Sequence, residues 1–81
     1  MTEAHNKLLI AFGKRLREVR LSKEISQENL ALEAGFDRTY LSLLERGKRN
    51  PSLVAICRIA QILETDPHEL LMGVRLSKRR D

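Results

Sequence analysis

A single cysteine, Cys57, rules out an internal disulfide, and its apolar neighbours Ile56 and Ile59 suit a buried thiol in a reducing compartment. Tryptophan is absent and tyrosine occurs once, so there is no aromatic platform on which single-stranded bases could stack. No run of about 18 apolar residues exists, and no segment reads as a membrane span. The N-terminal segment places its basic residues after its apolar run, the reverse of a secretory signal, so the expected location is the cytoplasm. His5 and His68 lie far apart, and neither a nucleophile–base pair nor metal-ligand spacing appears. Neither catalysis nor a metal, cofactor or small-molecule ligand is expected.

What is present is helix former and punctuation. Strand-type alternation is missing, and the four glycines and two prolines fall between periodic segments. Eighty-one residues suit one domain with one small core, too small for a deep, water-excluding cleft. The expected architecture is all-α: a compact five-helix domain over residues 1–81, its core spanning about residues 6–73 and a mobile basic tail covering 74–81.

The first helix is expected from about Asn6 to Lys23, with Leu9, Phe12, Leu16 and Val19 forming one apolar stripe and Lys14, Arg15 and Arg17 off it. The second opens on Ser26, a favoured N-cap, flanked by the staple pair Ile25 and Leu30, and ends near Ala34 before Gly35. Asp37 caps the third, with Phe36 and Leu41 as its staple, and Gly47 stops it. Two helices of about eight residues, joined through Gly35, Phe36 and Asp37, form a helix-turn-helix pattern. The fourth helix follows Ser52 and is apolar nearly all round, so it is expected to be central and buried. A short fifth starts at Thr65 or Asp66, with Pro67 at its tolerated first position.

At about 100° per residue, Leu41 and Leu44 mark the core side of the third helix. Thr39, Leu43 and Arg46 point the other way, flanked by Arg38 and Ser42. That face suits a major groove: Arg38 can donate twice to a guanine, Thr39 can reach a base edge, and Leu43 can touch a thymine methyl. Without the preceding turn, a solvated helix face with a stray leucine would fit as well. The net charge of +4 permits a polyanionic partner, and Arg38, Arg46, Lys48 and Arg49 concentrate it. Gln27, in the first turn of the second helix, is placed to meet a phosphate, although spacing alone equally allows an ordinary exposed glutamine. Lys48, Arg49 and Asn50 follow the third helix, where they reach further phosphates or form a solvated basic loop. Tyr40, Ser42 and Arg46 complete the expected backbone-contact set. Arg20 borders the apolar stripe and Glu45 adjoins Leu44, so a bidentate pair would clamp the third helix to the first; two independent surface charges remain the alternative.

The stretch ISQENLALEAGFDRTYLSLLERGKRNPSL, residues 25–53, resembles the phage-repressor and Cro-type, or XRE-like, helix-turn-helix family. Asp37-Arg38-Thr39-Tyr40, Glu45-Arg46-Gly47 and Arg49-Asn50 also resemble the controller proteins of restriction-modification systems. The resemblance implies a transcriptional regulator of double-stranded DNA. It implies base contacts from Asp37, Arg38, Thr39 and Leu43, a phosphate contact from Gln27, and pairing of Arg20 with Glu45. Leucine at position 43 departs from the polar residues common there. The resemblance further implies a homodimer on a palindromic operator, with Ile62, Leu70, Leu71 and Met72 at its interface; closing a small core is the other use for those side chains. An XRE-type antitoxin, a phage repressor-like regulator or a protein-interaction adaptor of the same fold are the alternative functions.

Overall fold

The computed structural model describes residues 2–76 as five helices: α1 (Glu3–Ser22), α2 (Gln27–Ala34), α3 (Arg38–Glu45), α4 (Leu53–Ile62) and α5 (Pro67–Leu70). The starts are set by local chemistry. Ser26 Oγ accepts from the Asn29 amide at 3.0 Å, Asp37 Oδ1 from Thr39 at 2.7 Å, and Ser52 Oγ from Ala55 at 3.0 Å. α1 begins three residues earlier than the apolar stripe alone predicts, because Thr2 caps it by accepting from the His5 amide at 3.2 Å. Asp66 holds the cap position of α5 without a side-chain bond, and Pro67 supplies the start. α2 ends on Gly35 at φ 76°, where the Phe36 amide bonds back to the Ala31 carbonyl at 2.8 Å.

α1 packs against α3 and α5, α2 against α3 and α4, and α4 against α5. The core gathers Phe12, Leu16 and Val19 of α1 with Leu30, Leu41, Leu44, Ile59, Leu63 and Leu70. Both staple leaders, Ile25 and Phe36, pack against it.

Two expectations change here. α4 buries only the side carrying Ala55, Ile59 and Ala60, while Leu53 and Val54 are 72% and 67% exposed. Cys57 faces outward with them and is not a buried thiol. Only α2 and α5 cover α4, so the opposite side of this apolar helix has no neighbour within the chain. Leu70 is the second correction. It is wholly enclosed in the core and contributes nothing to an outer surface, whereas Leu71 and Met72 are exposed. The segment expected to be a mobile tail also divides. Val74 packs against the core, and Lys78, Arg79 and Arg80 lie outside the described residues. No helix among the described residues is long and apolar enough to cross a membrane.

Candidate nucleic-acid interface

The outward face of α3 matches the helical-wheel expectation. Arg38, Thr39 and Arg46 are exposed, Ser42 and Leu43 are half-buried, and Leu41, Leu44 and Glu45 turn inward. Arg38, Thr39 and Ser42 line one shallow groove on that face. Asp37 stands exposed at its edge with one carboxylate oxygen committed to the Thr39 amide. Glu45, the other acid of this stretch, is withdrawn into the interior. The face therefore presents Arg38, Arg46, Lys48 and Arg49 against Asp37 alone.

The angle of α3 is fixed from three directions. Arg20 and Glu45 are 6% and 9% exposed and meet side-on, Nε to Oε2 at 2.6 Å and Nη2 to Oε1 at 3.0 Å. Arg20 Nη1 also donates to the Ile25 carbonyl at 2.9 Å, which ties in the chain between α1 and α2. Gln27 Nε2 donates to Glu45 Oε1 at 2.9 Å. Every lone pair or proton gained here offsets part of the desolvation cost of burying the pair, and among the described residues no buried side-chain polar atom lacks a partner. Gln27 is thus part of the clamp, with an amide hydrogen used inside the domain. The expected free phosphate donor is not what its side chain offers first.

Gly13 supplies the second restraint. A Cβ at this position would sit 2.5 Å from the carbonyl oxygens of both Leu44 and Glu45, so α1 and α3 touch backbone to side only because Gly13 has no side chain. The third lies beyond α3. Gly47, at φ 73°, is seated so that a Cβ would fall 2.8 Å from Ile10 Cα, which backs the 47–50 loop onto α1.

Lys48, Arg49 and Asn50 are exposed on that loop, next to the C-terminal end of α3. Tyr40 is half-buried: its ring meets Phe36 edge-on at 5.2 Å and carries the Arg49 guanidinium 5.1 Å above its centroid. Stacking restricts Arg49 to one side of the α3 face. Nothing in the sequence pattern signalled this contact, the Gln27–Glu45 bond or the close approach at Gly13. A fourth feature was equally hidden. Arg15 donates from Nε to the Glu69 carbonyl at 2.6 Å and from Nη2 to Glu69 Oε2 at 3.2 Å and Met72 Sδ at 3.4 Å, locking α5 to α1.

A short helix, a glycine turn and a rigidly held cationic second helix with small hydroxyls in its groove-facing turn define a helix-turn-helix domain. The helix-turn-helix family profile matches residues 16–70. Control protein C.BamHI of Bacillus amyloliquefaciens is 46% identical over 67 residues, covering 82% of this chain and 83% of that protein. Among solved structures, the restriction-modification controller protein C.AhdI from Aeromonas hydrophila superposes with a TM-score of 0.75 at 52% identity, over 76% of this chain and 94% of that one. SinR, the master regulator for biofilm formation, solved in complex with DNA, superposes with a TM-score of 0.70 at 34% identity, over 74% of this chain and 97% of that one. The chain belongs to the helix-turn-helix family of DNA-binding transcriptional regulators, which are not enzymes.

Proposed function

We propose that this protein is the controller of a restriction-modification system, a single-domain cytoplasmic homodimer that reads a palindromic operator through α3. The observation that carries the reading is the exposed first turn of α3, Arg38 and Thr39, held at a fixed angle by the buried Arg20–Glu45 pair. Likeness to C.BamHI and C.AhdI supports the controller role. In this reading Arg38, Thr39, Asp37 and Leu43 face bases. Ser42, Arg46, Lys48, Arg49 and Asn50 approach phosphates, while Tyr40 supports Arg49 and Gln27 adds its remaining amide hydrogen at the start of α2.

Arg38→Ala is expected to cost roughly 1–3 kcal/mol of operator binding and to relax preference at one base pair. Titration against the operator and its single-base variants reads this directly. A uniform loss across all sequences would make Arg38 a phosphate contact and overturn its assigned role.

The dimer reading rests on apolar surface with no cover inside the chain: Leu53, Val54 and Cys57 of α4, half-buried Ile62, and Leu71 and Met72 after α5. One recognition helix reads too few base pairs to find a genomic site, and a two-fold pair of them doubles the readout with half-site centres about 34 Å apart. Val54→Asp and Leu71→Asp are both expected to give folded monomers by circular dichroism and sedimentation. Their operator affinity should fall on the order of a hundredfold, since joined modules gain at least that factor. Two variants that stay dimeric would remove this surface from the interface.

A further inference from the structure

We propose that the C-terminal strap, residues 74–76, aims a cationic extension at the DNA backbone beside the recognition helix, giving the protein a contact that lies outside the helix-turn-helix. The inference rests on the DNA-binding reading and adds a second, sequence-independent anchor to it.

The strap is seated by packing. The Val74 amide bonds to the Leu71 carbonyl at 2.9 Å, and the Val74 side chain packs on the core. Leu76 then lines one groove with His5, Leu8 and Leu9 of α1 and with Asn50. Asn50 ends the loop whose Lys48 and Arg49 flank the α3 face, and Gly47 fixes that loop against Ile10. Arg75, exposed and adjacent to Leu76, is therefore held near the same end of the interface as Lys48 and Arg49.

Charge selects the partner. After Val74 the sequence reads Arg-Leu-Ser-Lys-Arg-Arg-Asp, four cations and one acid. Apart from Leu76 the segment offers no apolar side chain that a protein surface would bury. Duplex DNA carries one negative charge per about 1.7 Å of axis, and four residues beyond Leu76 reach at most about 14 Å, a span offering several phosphates. Leu76 accounts for an otherwise odd apolar residue in a basic run: it pins the run beside Asn50 instead of leaving it to diffuse.

The test uses the full chain and two variants: the charge variant Arg75→Gln/Lys78→Gln/Arg79→Gln/Arg80→Gln, and the anchor variant Leu76→Ser. Operator and scrambled-duplex affinities are measured across a salt series, with thermal melts to show that the fold is intact. The charge variant is expected to bind both duplexes at least tenfold more weakly at low salt, with the log K against log salt slope reduced by about two to three and the operator-to-scrambled ratio unchanged. Leu76→Ser keeps every charge and is expected to lose part of the same affinity on both duplexes. A charge variant with the wild-type slope overturns the proposal, as does an anchor variant with wild-type affinity. Either result leaves operator preference intact, whereas failure of the regulator reading would appear as a wild-type protein with no operator preference at all.

Discussion

Glu45→Ala is expected to remove about 3–5 kcal/mol of stability, the usual cost of taking one partner from a buried ion pair. Arg20, 6% exposed, would keep its bond to the Ile25 carbonyl and lose both carboxylate bonds, leaving a charge in the interior with one acceptor. Set against a whole-domain stability of about 5–15 kcal/mol, this is a large share, and thermal melting should fall by more than about 12 °C. Operator affinity should fall with it, although Glu45 is turned away from the groove-facing side, because α3 loses its tie to α1. Arg20→Ala should behave alike, and the double-mutant cycle should show coupling on the order of 0.5–3 kcal/mol. Gln27→Ala should cost only about 1 kcal/mol, the worth of one bond to a charged acceptor that keeps its main partner. Additive losses from Arg20→Ala and Glu45→Ala would contradict the pairing.

Gly13→Ala carries the second large effect, and its sign is the informative part. In an exposed helix interior, alanine would stabilise by about 1 kcal/mol over glycine. Here the added methyl would lie 2.5 Å from two backbone carbonyl oxygens, those of Leu44 and Glu45, which cannot rotate away. α3 must move off α1, at an overpacking cost of about 1–3 kcal/mol net of the propensity gain, and the Arg20–Glu45 geometry is distorted in the same step. Lower melting temperature and weakened operator binding are both expected. Gly35→Ala is the control: nothing lies within 4 Å of its Cβ, so only the strain of φ 76° acts, and DNA recognition by the remaining folded protein should survive. A Gly13→Ala protein more stable than wild type would show that α1 and α3 are not in backbone contact.

Helix starts were legible because a cap acts within four residues. Ser26, Asp37 and Ser52 each bond an amide two or three positions on, and each was readable in place. The outward set on α3 followed from helical period alone. Arg20 and Glu45 could be suspected from their positions beside core leucines, yet spacing could not distinguish a pair from two surface charges. Burial of α4 was misread for a physical reason. Periodicity reports how apolar a helix is, not how many neighbours cover it, and a five-helix chain leaves Leu53, Val54 and Cys57 uncovered. Leu70 and Leu71 were indistinguishable because a helix of four residues has no phase to read; packing of α5 against α1 and α4 turned Leu70 inward. Arg15 with Glu69, Arg49 with Tyr40, and Gly13 beneath Leu44 depend on how helices cross, which local pattern does not encode.

The central claim is that α3 confers sequence-specific recognition of duplex DNA. Selection from a random double-stranded pool with the wild-type protein, followed by titration of the enriched site against a scrambled duplex at fixed salt, tests it most directly. The account predicts one enriched palindrome with half-site centres about 34 Å apart, bound at least about a thousandfold more tightly than the scrambled duplex. A pool that yields no enriched sequence, with both duplexes bound alike, would contradict it.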